Sequence, residues 1–235
     1  MRPIILLVTL FFTFFSFAQE INQFDENGKR HGVWQKTFDK TDNLRYQGQF
    51  EHGKEVGLFK YYKLVGTVSR LAATKQFNKE NNITETKFFA SNGRLISEGI
   101  MDGKIYIGEW KYYHKDGKTL MTIENFNNQG ILHGKKQVFY KNGQIAEDFT
   151  YNLGRLDGEA LYYADNGTLI KKYLYINDIL HGFAQHFDAQ GNKLVEGDYK
   201  KGKKHGVWKY YENGKLVRTK DFTVYSKNPY KKKKK

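Results

Sequence analysis

The chain has 235 residues, of which 39 are Lys or Arg and 25 are Asp or Glu, a formal net charge of +14. It contains no cysteine, which excludes disulfides, thiolate metal sites, cysteine nucleophiles and lipid anchors on Cys. With 18 Phe, 17 Tyr, 3 Trp and 23 Gly but only 2 Pro, it carries too much aromatic material for a disordered chain.

Residues 1–18, MRPIILLVTLFFTFFSFA, come first. Arg2 supplies a short positive start, Ile4–Phe17 an apolar run broken only by Thr and Ser, and Ser16 and Ala18 a small-residue cleavage site. A membrane-spanning helix is the competing reading, but spanning needs about 20 apolar residues, and Glu20, Asn22 and Asp25 follow at once. The expectation is a cleaved signal peptide. Gln19 or Glu20 would then begin a soluble mature chain that is secreted or periplasmic.

After a lead-in at 19–27, a repeat starts. Its clearest copy is Glu196–Leu216, EGDYKKGKKHGVWKYYENGKL: a G-x-x-x-G element, an aromatic run, then an Asn-Gly pair. The second position of the G-x-x-x-G element recurs at Gly32, Gly57, Asn82, Gly108, Gly134, Gly158, Gly182 and Gly206, at spacings of 24 to 26 residues. Asn82 is the single non-glycine. Asparagine tolerates a left-handed backbone better than most residues, so NKENN at 78–82 reads as a degenerate copy. A second glycine follows in most units, at Gly66, Gly93, Gly117, Gly143, Gly167, Gly191 and Gly214, and Asp42-Asn43 replaces it in the first. The pairs Asn92-Gly93, Asn142-Gly143, Asn166-Gly167 and Asn213-Gly214 suit a two-residue hairpin turn with positive φ at both positions.

Between these turns lie short runs of β-formers, such as LFKYY at 58–62, EWKYY at 109–113 and VWKYY at 207–211. Alternation places Trp208 and Tyr210 on one face and Val207 and Tyr211 on the other. No interval between glycines is long enough for a helix. The predicted fold is all-β: an elongated single-layer antiparallel meander of about eight tandem β-hairpins over residues 28–225. About 16 strands at ~4.8 Å each would make it roughly 75 Å long. Stacking of neighbour on neighbour would hold it together, with the two end units weakest. A basic disordered tail is expected at 226–235.

The pattern at 196–216 resembles the MORN repeat in the variant form common in bacteria, whose proteins often carry the label of YwqK-type antitoxins. The resemblance covers roughly residues 28–222. It implies a twisted sheet of hairpins serving as a scaffold or binding surface, with membrane attachment and phospholipid contact as associations of the family. Lys136, Ala160 and Ala184 stand where Trp34, Trp110 and Trp208 stand in other units.

Catalytic chemistry finds no anchor. His31, His133, His181 and His205 each precede a repeat glycine, but equivalent residues two strands apart lie about 9–10 Å from one another, too far to share a Zn²⁺ with bonds of about 2.0–2.1 Å. They read as turn residues. Glu109, Asp116, Asp157, Asp165 and Asp188 are scattered, with no pair singled out for acid–base work. Nucleophile-elbow, zincin, P-loop and dinucleotide signatures are absent. The expectation is no catalytic residue, no metal and no cofactor.

Charge is the stronger signal. Residues 191–235 hold 15 Lys and Arg against four acids, whereas 19–190 hold 23 against 21. The leading functional reading is therefore an exported, non-enzymatic binding scaffold for protein or cell-envelope partners. Its predicted contact residues are Tyr112, Tyr162, Tyr210 and Lys209, with Lys231, Lys232, Lys233, Lys234 and Lys235 adding electrostatic attachment. Peripheral binding to anionic lipid and an antitoxin or immunity role are the alternatives. Interleaved Lys and aromatic residues also suit single-stranded nucleic acid, but export disfavours that partner.

Overall fold

The computed structural model describes residues 20–223. The strands are β1 (Gln23–Phe24), β2 (Arg30–Thr37), β3 (Leu44–Glu51), β4 (Lys54–Val65), β5 (Val68–Phe77), β6 (Ile83–Phe89), β7 (Leu95–Asp102), β8 (Ile105–Tyr113) and β9 (Leu120–Phe126). They continue as β10 (Leu132–Phe139), β11 (Ile145–Asn152), β12 (Arg155–Tyr163), β13 (Leu169–Ile176), β14 (Ile179–Leu180), β15 (Gly182–Phe187), β16 (Lys193–Lys200), β17 (Lys203–Glu212) and β18 (Lys215–Asp221). No helix occurs among the described residues. Successive strands pair antiparallel, except that the two-residue β14 and β15 both pair with β13. The result is one open sheet of 18 strands, the meander that the repeat spacing predicts.

The glycines mark two different devices. At Gly53, Gly154 and Gly202 the first glycine of the G-x-x-x-G element sits in a two-residue turn, as at His52-Gly53 between β3 and β4, where φ is 47° and 87°. Both values lie in the mirror-image turn region that matches strand twist. The second glycine lies inside the following strand. Around Gly206 (φ 66°), Glu196 pairs with Lys209 and Asp198 with His205, so Gly197 alone faces three residues, Gly206–Trp208. Gly57, Gly108 and Gly158 make the same bulge in β4, β8 and β12. Two extra residues are an even number, so alternation of faces resumes in phase beyond each bulge.

The bulge carries the residue two places after its glycine across to the preceding strand. There Trp208 and Trp110 lie flat over Gly197 and Gly99; a Cβ on those glycines would come within 2.5 and 2.6 Å of the rings. Phe59 lies on Gly48 in the same way. These three rings are at most 1% exposed although no second layer covers the sheet. Each indole N–H donates to the carbonyl just past its glycine: Trp110 to Ile100 at 2.8 Å and Trp208 to Asp198 at 3.1 Å.

Strand pairing extends this line of side chains across the sheet. Trp110 faces Glu124, Glu124 faces Lys136, Lys136 faces Phe149, and Ala160 lies between Phe149 and Tyr173. Ring volume is thus transferred rather than lost. Where Ala160 replaces tryptophan, the facing strands bring aromatics in place of glycine, and where Lys136 does, an ion pair with Glu124 at 2.8 Å fills the gap.

Three expectations need correction. Asn82 does not take a left-handed backbone, and β5 and β6 pair without any register shift. The 78–82 segment is instead a loop organised by Asn78, whose Oδ1 accepts the amides of Glu80 and Asn81, both at 2.8 Å. Buried Thr84 and Thr86, with hydroxyls 3.1 Å apart, occupy the strand there. Second, of the four Asn-Gly pairs only Asn213-Gly214 has positive φ at both residues. At Asn142 the side chain accepts the Gln144 amide at 3.0 Å and Gly143 N–H donates to Tyr140, also at 3.0 Å, so the glycine alone is left-handed. Third, the lead-in is part of the sheet. β1 pairs with β2, Phe24 meets Trp34 edge-on at 5.1 Å, and the Trp34 indole donates to Gln23 at 2.9 Å. The signal-peptide segment and the tail lie outside the described residues.

Gly197 has no left-handed requirement, so its role is space alone. Gly197→Ala is expected to cost about 1–3 kcal/mol through overpacking, measured by urea unfolding. The cost should shrink to under half in a Trp208→Ala background, because the clashing ring is then gone. An undiminished cost in that double-mutant cycle would refute the ring-on-glycine account.

Candidate binding face

The residues singled out for binding fall into a pattern once register is known. Tyr112, Tyr162 and Tyr210 lie on one line that crosses the strands. Thr122 faces Tyr112, Glu147 faces Tyr162, Val195 faces Tyr210, and the intervening pairs connect them without a break. Tyr46 and Tyr61, 6.4 Å apart by ring centroids, extend the line at the other end. This row runs beside the buried ring-on-glycine row and on the same face. Its tyrosines are half-buried rather than freely exposed. Burial, reinforced by the nearby Glu124 carboxylate, raises the Tyr112 hydroxyl well above the usual phenol range, and burial first raises Tyr162 as well. They therefore act as neutral amphipathic surfaces, apolar in the ring and hydrogen-bonding at the tip.

Cations gather where this face reaches the last hairpin. Lys204 Nζ lies 3.9 Å from the Trp208 ring centroid and 5.3 Å from Phe222, and the Arg218 guanidinium carbon lies 4.2 Å from Tyr210. Their stems cover apolar surface while the heads stay charged. His186, on the tyrosine line, has a buried Nε2 with no hydrogen-bond partner, and burial followed by the charges of Lys171 and Lys204 lowers its pKa.

Lys209 is not part of this face. It follows Trp208 and precedes Tyr210 in a strand, so alternation turns it to the opposite side. There its Nζ is 3.8 Å from Glu196. That carboxylate takes Lys193 and Tyr211 Oη, each at 2.7 Å, and Gln185 at 3.3 Å. Glu98 repeats the arrangement with Lys87 at 2.7 Å and Tyr113 at 2.5 Å. Each Glu-Gly pair thus serves both faces: the acid anchors a tyrosine and lysine on one side, and the glycine beds a tryptophan on the other. The tail lysines 231–235 lie outside the described residues.

One cluster escaped the sequence reasoning. Asp25, His31 and His52 place their potential ligand atoms within 4.8 Å of one another. The sequence reading compared histidines within one column, whereas His52 belongs to a turn. The signal was present as His before glycine at both 31–32 and 52–53.

Hairpins repeated in one open sheet, with bulge glycines and bedded rings, define an all-β repeat protein. Residues 106–128, 132–153, 156–177 and 204–223 match the family model described as MORN repeat variant. These stretches coincide with the hairpins β8–β9, β10–β11, β12–β13 and β17–β18. The chain carries four MORN-variant repeats, and such repeats generally mediate binding to proteins or membranes. No curated protein matches the chain.

Hydrogen bonds from Lys193 and then Tyr211 hold Glu196 down from 4.5 to about 2. A depressed carboxylate stabilises the fold above its unfolded pKa and loses that contribution as pH falls through the folded value. Stability should therefore drop between about pH 5 and pH 2, and Glu196→Gln should flatten that drop in thermal melts taken across the range. Identical acid profiles for both proteins would show that Glu196 is not the linked group.

Proposed function

We propose that the chain is an exported, non-enzymatic binding scaffold whose tyrosine-lined face docks a protein or cell-envelope partner. One observation carries this reading: an unbroken line of strand-paired positions crosses an open sheet and sets half-buried Tyr46, Tyr61, Tyr112, Tyr162 and Tyr210 at intervals along one face, beside the buried rings. Amphipathic rings of restricted mobility give large contact area at small entropic cost, the property that enriches tyrosine in protein interfaces. The family's general role in protein and membrane binding supports the same conclusion. Export rests on the charged start, apolar run and small-residue site of residues 1–18.

Attachment to anionic lipid is a second reading, favoured by the cations poised over Trp208, Tyr210 and Phe222. Residues 191–223 alone hold nine Lys and Arg against four acids. Such attraction is screened over about 10 Å at 0.1 M salt.

The two readings separate in one experiment. A photo-reactive phenylalanine is placed at Tyr112, Tyr162 or Tyr210, with Ile96 on the opposite face as control, and cross-linked in intact cells. The scaffold reading expects all three row positions to yield the same conjugate in the envelope fraction and the control to yield none. Capture from both faces alike, or none at all, sinks it. Salt-sensitive sedimentation with phosphatidylglycerol vesicles, without any protein conjugate, would establish the lipid reading instead.

A further inference from the structure

Four hairpin junctions share one close contact. At each, an amide of the leading turn docks on a carbonyl of the strand two places earlier in the sheet: Gly53 on Arg30, Gly154 on Leu132 and Asp178 on Leu156, each at 2.8 Å, and Gly202 on Leu180 at 2.9 Å. This brings the residue before the donor against the residue after the acceptor. The pairs are His52 with His31, Leu153 with His133, Asn177 with Asp157, and Lys201 with His181. Of these four junctions only the first opposes two imidazoles, with ring centroids 4.9 Å apart.

The first junction also has a third member that no other unit can supply. Asp25, in the turn between β1 and β2, reaches His52 Nδ1 at 2.7 Å through Oδ2. Its other oxygen, Oδ1, accepts the amides of Asn27 at 2.9 Å and Lys29 at 2.8 Å. The carboxylate is thereby fixed, and its side chain is 7% exposed, whereas that of His52 is 64% exposed. Hydrogen bonds from His52 and the Lys29 amide hold Asp25 below the usual carboxylate range, so it is ionised at neutral pH.

We propose that Asp25, His31 and His52 bind a borderline divalent transition ion, Zn²⁺ being the natural probe. Two imidazoles and one carboxylate are a nitrogen-rich set that suits zinc and disfavours calcium or magnesium, which take oxygen ligands. Tetrahedral bonds of about 2.0–2.1 Å require ligand atoms about 3.3–3.4 Å apart. The spread of up to 4.8 Å closes by rotation of the exposed imidazoles about the fixed carboxylate. For the ion to bind Nδ1 of a neutral His52, the imidazole proton moves to Nε2; an imidazolium instead releases one proton to solvent. A fourth position is left to water. The bound ion cross-links the lead-in, β2 and the β3–β4 turn, and so clamps β1 onto the first hairpins of the sheet.

The test is calorimetric titration of the untagged, chelator-treated full chain with Zn²⁺ alone. One ion per chain is expected at this site. His31→Ala, His52→Ala and Asp25→Asn should each weaken binding by at least about tenfold, since loss of an outer-shell partner alone costs about that much. His133→Ala, at the equivalent place facing Leu153, should leave it unchanged. Zinc should also raise the melting temperature of the parent chain and leave that of His52→Ala where it was. His52→Ala also loses the hydrogen bond to Asp25, so the readout is the zinc-induced shift of each protein against its own metal-free melting temperature. Absence of one-to-one uptake, or uptake that the His31 and His52 variants retain in full, overturns the site.

Discussion

A sheet one layer thick has nothing to bury its apolar face against, and the whole structure answers that constraint by laying a large ring on a glycine of the neighbouring strand. Trp110 and Trp208 become as inaccessible as residues in a two-layer core because the strand beside them offers a flat surface without a Cβ. The arrangement needs two sequence features at once: a bulge to carry the ring across, and a bare position to receive it. Neither works alone. A ring without the glycine would be forced off its rotamer, and a glycine without the ring would leave a gap and a weaker strand.

Much of this was legible in the residues. The period, the alternation, the lack of proline between residues 4 and 228 and the G-x-x-x-G element led directly to hairpins in chain order. What escaped was the division of labour between the two glycines, since one spelling encodes both a turn and an in-strand bulge. Asn82 shows the limit. Its tolerance of a left-handed backbone made it a plausible stand-in, yet Asn78 found better use for the backbone amides and built a loop. Three of the four Asn-Gly pairs depart from expectation for a related reason: at Asn142 the side chain captures a backbone amide, and the asparagine keeps an ordinary conformation.

The candidate binding face was only partly legible. Choosing Tyr112, Tyr162 and Tyr210 required only that repeats place equivalent residues alike, and register sets all three on one line. Lys209 was expected as a contact without a face, and strand alternation assigns it to the Glu196 side. Asp25 and His52 were invisible for a different reason. Their proximity to His31 comes from a turn folding back over an earlier strand, and no reading of a single repeat contains that contact.

Strand pairing runs in sequence order from β1 to β18, so every substantial interaction joins segments that are close along the chain. Loop closure between remote parts, the slow step for most β proteins, is nowhere required. A nascent chain can therefore assemble vectorially, each new hairpin zipping onto the edge left by the one before. The growing template is always a finished strand. Length becomes a quantity that duplication or deletion of one unit adjusts without redesign of the remainder.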